Sequence, residues 1–290
     1  GTEPIGPQAQ PIAWHHYRRG RDRLINDDNL EAIAEVFTHE SLAIARSIGL
    51  LLPNGLGSLT YPHPSRTIYG DGTIVRPIYR TTRELGDDPD TPGRRTDPDA
   101  EEHVRHDGPI SGTNFVAVCT RGPGLRQRVV LRAARVPAPG QEAATAVAAI
   151  TDVARLAGAG IQAVAYDGAF TGTHIEQLMT TCGLIVVNKV APAPTTADEK
   201  TAGAKNAKQF PLGVHTHRVG RRDCRHNLIC HDGAIHQLDF DDTGDTTLGA
   251  PLRRVQVKRV RRSDSWRFTL GIEIACRHGN FTTWISPHPQ

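Results

Sequence analysis

"IQAVAYDGAFTG", residues 161–172, decides how this chain is read. The residues before Asp167 suit a buried strand, and a single carboxylate then meets a glycine turn at Gly168. A turn explains such an acid, because Asp and Gly both favour the backbone of tight reversals. A cation bound above the C-terminal end of the strand explains it too.

The flanking segments extend the reading in both directions. Downstream, "THIEQLMTTCG" (173–183) predicts a helix with Thr173 and Glu176 as a capping box and Gly183 as its stop. "LIVVNKV" (184–190) then predicts a second buried strand. Upstream, "QEAATAVAAITDVARLA" (141–157) follows Pro139-Gly140 and carries Val147, Ile150, Ala154 and Ala157 at helical spacing. "TNFVAVCT" (113–120) and "QRVVLRAARV" (127–136) flank "RGPGLR" and read as a hairpin, and "TIYGDGTIVRPIY" (67–79) as an earlier strand. Residues 81–110 lack periodicity and predict a loop. A meander followed by helix–strand–helix–strand predicts an α/β class: a ribonuclease-H-like mixed sheet flanked by helices.

Two further parts complete the predicted organisation. An N-terminal helical segment occupies 1–60. Its helix, 28–49, has Leu30, Ile33, Ala34, Phe37, Ile44 and Ile48 as the packing stripe and Gly49 as its end. The catalytic core spans 61–212, and a β-rich basic module, inserted or appended, spans 213–290, with Trp266, Phe268, Leu270, Ile272 and Ile274 alternating along one strand.

Composition bounds the function. The chain has 290 residues, 38% hydrophobic, with no run near the ~18 apolar residues that span a membrane. Five Cys and an N-terminus without an apolar signal core point to a reduced, cytoplasmic protein. Net charge is +3 but uneven: residues 81–107 hold nine acids against four Arg, and 252–267 hold seven Lys/Arg against one Asp. A basic C-terminal third implies a polyanion partner, or else a solvated face. Neither "NGLG" (54–57) nor "GPG" (122–124) has the setting of a phosphate-binding loop. No Gly-x-Ser-x-Gly occurs, and Cys182 shows no His partner for nucleophilic chemistry.

In the expected sheet, Asp71 and Asp167 lie on neighbouring strands. Two close carboxylates repel unless a cation sits between them, and their hard oxygens suit Mg²⁺ or Mn²⁺. Two such ions activate a water or 3′-hydroxyl and stabilise the leaving oxygen of a phosphoryl transfer. Against this, "YGDGTIV" also reads as a hairpin, because Asp-Gly is a strong type I′ signal.

"IYGDGTIVRPIYR", "VAYDGAFTGTHIEQLMTTCGLIVVNKV" and the later "CRH" segments together resemble DDE-type transposases of the insertion-sequence kind found in actinobacteria, over about residues 61–286. The resemblance implies metal-dependent DNA cleavage and strand transfer at transposon ends, a homodimer on double-stranded DNA, and a nucleoid-associated location. Asp71 and Asp167 match the first two catalytic acids. The third, usually Glu, is Glu199 by its distance of 32 residues from Asp167, or lies beyond Gln290. Glu199 is equally explained as a capping-box partner of Thr196. Without a third acid the chain would be a catalytically incomplete or domesticated DNA-binding relative.

"DCRHNL" and "ACRHGN" repeat a Cys-x-His spacing. On a strand, i and i+2 share a face, so Cys224 with His226 and Cys276 with His278 offer four ligands to a tetrahedral zinc. His215, His217, Cys230 and His231 crowd nearby, and buried thiols with surface imidazoles account for the same residues. Arg253, Arg254, Lys258, Arg259, Arg261 and Arg262 are the expected phosphate contacts.

Overall fold

A computed structural model describes residues 16, 19–20, 23–76, 100–105, 108–124, 126–167, 169–188, 209–231, 233–240 and 246–286. The first sheet is built on β1 (Thr67–Val75), which runs unbroken through Asp71-Gly72, so the hairpin reading of that dipeptide does not hold. β2 (Glu101–Arg105) and β4 (Arg128–Arg135) flank β3 (Gly108–Arg121), which pairs antiparallel with β1. On the other side of β1, β5 (Ala163–Tyr166) and β6 (Ile185–Asn188) add in parallel, giving the order β2-β3-β1-β5-β6 with β4 beside β3.

Alternation along these strands gives the sheet one apolar face. Ile68, Val116, Val118, Leu131 and Val164 are buried there beneath α2 (Glu142–Ala157), whose Ala146, Val147, Ile150 and Val153 form its inner stripe. Small alanines let α2 approach the sheet closely, while the branched residues fill the space between. Leu178 and Leu184, around the π-turn 178–182 that follows α3 (Gly172–Gln177), belong to the same core. The opposite face is open: Val130 is 45% and Val187 53% exposed.

α1 (Asp27–Ser47) starts at Asn26, whose side chain accepts from the Asn29 amide at 2.9 Å. It docks through Thr38, Ser41, Leu42 and Ala45. The stripe predicted to pack, Leu30, Ile33, Phe37, Ile44 and Ile48, faces outward at 40–61% exposure. Polar ties explain the choice of face. Arg132 on β4 reaches Glu31 at 2.6 Å, Arg155 on α2 reaches Glu35 at 2.8 Å, and Arg46 donates to the Ala157 carbonyl at 2.6 Å. Among the described residues no helix is long and apolar enough to cross a membrane.

The described residues from 209 onward form two small sheets. β7 (Gln209–Val219), β8 (Arg222–His231), β9 (Ala234–Phe240) and β10 (Thr246–Pro251) form one, in the order β10-β9-β8-β7. β11 (Arg253–Arg262), β12 (Ser265–Cys276) and β13 (Gly279–Ile285) form the other. The three-stranded sheet is tied to the core: Thr60 Oγ1 accepts from the Val257 amide at 2.8 Å, and the Arg259 guanidinium donates to the Gly183 carbonyl. The indole of Trp266 covers Gly183, where a Cβ would approach it to 2.8 Å.

The α/β, ribonuclease-H-like expectation is therefore corrected. Among the described residues, strands hold 50% and helices 26%, with three α-helices, and the strands divide into three sheets. The helices contribute to one core on one face of the first sheet rather than flanking it. Smaller corrections follow. Residues 101–105, read as loop, pair with β3. The cap of α3 is Thr171 with His174, whose Nδ1 accepts from the Thr171 amide at 3.2 Å, not Thr173 with Glu176. The domain boundary at 212/213 falls inside β7.

Candidate functional site

The parallel register of β1 and β5 ends at Gly70↔Tyr166. Asp71 and Asp167 are each the next residue, so they stand at the same level, where β5 ends beside the middle of β1. Both are exposed, and both line a cleft of about 600 Å³ with Asn114, Glu102, His103, Pro139, Gly140 and Glu142.

Glu142 was not among the predicted residues. It opens α2, where its charge suits the helix N-terminus. Tyr166 donates to its Oε1 at 3.1 Å and Asn114 to its Oε2 at 3.2 Å. The two glycines of β1 make room for this pair: a Cβ on Gly70 would meet the Tyr166 ring at 2.6 Å, and one on Gly72 the Glu142 carboxyl at 2.5 Å. Burial, then the negative charges of Glu142, Asp167 and Asp71, push the Tyr166 phenol well above its ordinary range, so it stays a donor. The spacing Gly70-Asp71-Gly72 was the signal in the sequence, since strand glycines often mark a close approach. Glu199 lies outside the described residues.

A second constellation lies between the two small sheets. His217 on β7 pairs in register with Cys224 on β8, and His215 with His226. These four residues share one face of the ribbon. The end of β12 and the turn after it bring Cys276 and His278 against it, with Cys224 Sγ 3.1 Å and Cys276 Sγ 3.6 Å from His278 Nδ1. Among the described residues, two groups of possible ligands have their donor atoms within 4.8 Å of one another: Cys224, Cys276 and His278, and His217, His226 and Cys276. The acids of the cleft form no such group. Burial, followed by the charges of His217 and His226, lowers the His215 pKa, and burial with the Cys276 thiol raises that of Cys224.

The six basic residues of β11 divide. Arg253 pairs with Glu273 at 3.6 Å, Arg254 donates to the Thr60 carbonyl at 2.8 Å, and Arg259 is held by Gly183 with its guanidinium over Trp266 at 4.5 Å. Lys258 lies over the Trp284 ring at 3.9 Å, Arg261 lies 5.8 Å from the Trp266 ring, and both are exposed together with Arg262.

No protein-family model matches the chain, and no curated protein matches it at a significant level.

Proposed function

We propose that the protein is a DNA transposase of the DDE type, cutting DNA at transposon ends and joining the freed 3′-hydroxyl to a target. The observation that carries this reading is the position of Asp71 and Asp167 directly after the in-register pair Gly70↔Tyr166, in one cleft with Glu142. The donor set fits Mg²⁺ or Mn²⁺. Exposed carboxylates bind such ions through one or two oxygens and leave positions for water and phosphate. Asp71 and Asp167 would hold the ion. When bound, it supplies charge neutralisation at the transferring phosphate and a more acidic attacking hydroxyl.

The chain's own residues do the rest. Glu142 contributes a third carboxylate in the role first expected of Glu199, and Tyr166 and Asn114 fix its orientation. Lys258, Arg261 and Arg262 offer charge to the DNA backbone. A homodimer on double-stranded DNA, and a nucleoid location in the cytoplasm, belong to the same reading, because two transposon ends must be joined.

One observation favours a second reading, a catalytically incomplete relative that grips DNA. The three acids do not converge as the Cys/His groups do. Cleavage of supercoiled and linear DNA with Mg²⁺ or Mn²⁺ separates the two. Asp71→Asn and Asp167→Asn should each lower cleavage at least ~100-fold, since lost metal contacts cost several kcal/mol and each 1.36 kcal/mol is tenfold. Their DNA affinity should be unchanged. Variants that cut like the parent end the catalytic reading. A parent that binds DNA and never cuts it leaves the second.

A further inference from the structure

We infer that Cys224, His226, Cys276 and His278 form a structural zinc site that fastens the four-stranded sheet to the three-stranded one. This does not depend on the catalytic reading.

The Cys276 thiol belongs to both groups of converging donors, so an ion at that sulfur meets Cys224 and His278 on one side and an imidazole on the other. Two thiolates and two imidazoles are the ligand set of a closed tetrahedral zinc site.

His226 and His217 compete for the fourth place, and hydrogen bonding decides between them. His226 is buried, and its Nδ1 lies 3.2 Å from Gln237 Oε1 on β9. The amide oxygen can only accept, so Nδ1 carries the proton and Nε2 presents its lone pair. That Nε2 is buried without a hydrogen-bond partner among the described residues, as are both ring nitrogens of His217, but only His226 has its other nitrogen held. A ligating imidazole held by a carbonyl oxygen on its other nitrogen is the usual outer-shell arrangement. His217 instead lies flat between Phe281, at 3.7 Å, and His226, at 5.0 Å, and walls the site. Buried ring nitrogens without partners are costly, and an ion at the centre satisfies His226 directly.

The ligands come from β8, from the last residue of β12 and from the turn after it, so the ion bridges two sheets that share few large apolar side chains. Among the described residues, 28 hydrophobic side chains are buried, and of these only Leu228, Ile229, Val257, Phe268, Ile272 and Ile274 come from these seven strands. Metal binding replaces part of a missing core.

The test is elemental analysis of the full-length protein purified without added metal, followed by cobalt substitution. About one zinc per chain is expected, with the thiolate-to-cobalt charge transfer and intense visible bands of a tetrahedral sulfur site. Cys276→Ser should lose the metal and Cys230→Ser, on the same β8 but outside both groups, should keep it. His226→Asn should lose it while His217→Asn retains it. A parent with less than about a tenth of a zinc per chain after loading and gel filtration overturns the site. So does a parent without the tetrahedral cobalt spectrum, or a folded Cys276→Ser that still holds zinc. Loss from His217→Asn with retention by His226→Asn overturns the ligand set.

Discussion

At the cleft, one phenol links packing to acid chemistry. Tyr166 is 4% exposed, and burial, followed by the charges of three carboxylates, raises its pKa above the ordinary value of 10.0. In the unfolded chain the phenol ionises near that ordinary value, whereas in the folded protein it stays neutral. The stability it contributes is therefore complete below pH 10 and is lost as pH rises above it, because only the unfolded state releases a proton. Between about pH 9 and pH 11 the parent should lose roughly 1 kcal/mol more than Tyr166→Phe. Urea midpoints of both proteins at the two pH values measure this. Equal losses would mean that the phenol ionises in the fold as freely as in water. The same residues show why Glu142 stayed hidden in the sequence. A glutamate at the start of a helix is explained by the dipole alone, and nothing in "PGQEAAT" says that Gly72, some seventy residues earlier, leaves the space it occupies.

Among the elements, α1 docks through a face other than its apolar stripe, and the reason is physical. Periodicity names an apolar stripe, but it does not know that the partner surface carries a buried cation. A register shift in the β3–β4 ladder, between Val118 and Cys119, sets Arg132 opposite Val118, on the helix face. Arg132 is 5% exposed and reaches Glu31 on α1 and Asp152 on α2, at 2.6 and 3.2 Å. Arg155 makes a similar pair with Glu35, but both partners are exposed. Arg132→Ala should cost about 2–4 kcal/mol, through lost charged hydrogen bonds and lost packing of its stem. Arg155→Ala should leave stability nearly unchanged, because solvent screens an exposed pair. Denaturant unfolding gives both numbers, and amide exchange in α1 should quicken only for Arg132→Ala. Similar costs for the two would place the docking energy elsewhere. Strand alternation was more reliable. The segments 113–120, 127–136 and 161–166 were legible as strands because each faces one core. The i, i+2 rule likewise put Cys224 and His226 on one face. What could not be read was which sheet would confront which, because that depends on contacts such as Trp266 on Gly183, far apart in sequence.

For the molecule as a whole, charge decides how DNA would be held. The net charge of +3 is too small to matter by itself, so the proposed binding would rest on local density, and β11 is the densest stretch. As the outer strand of its sheet, β11 has another use for those charges: Lys and Arg on an edge discourage pairing with a second chain. The two uses differ in which side chains are available. Arg253, Arg254 and Arg259 are engaged by Glu273, Thr60 and Gly183. A cation over an indole keeps its charge, so Lys258 and Arg261 remain competent to displace counterions, as does exposed Arg262. Each phosphate neutralised contributes about −0.9 to the slope of log K against log salt on duplex DNA. Replacing Arg261 and Arg262 together with Ala should therefore make the slope about 1.8 less steep. Arg259→Ala should leave the slope alone and lower stability instead, because it frees the Gly183 carbonyl and uncovers Trp266. Titrations of labelled duplex at several salt concentrations, with thermal melts of each variant, distinguish the outcomes. If the double variant keeps the parent's slope, the basic strand serves the edge of the sheet and the DNA surface lies elsewhere on the chain.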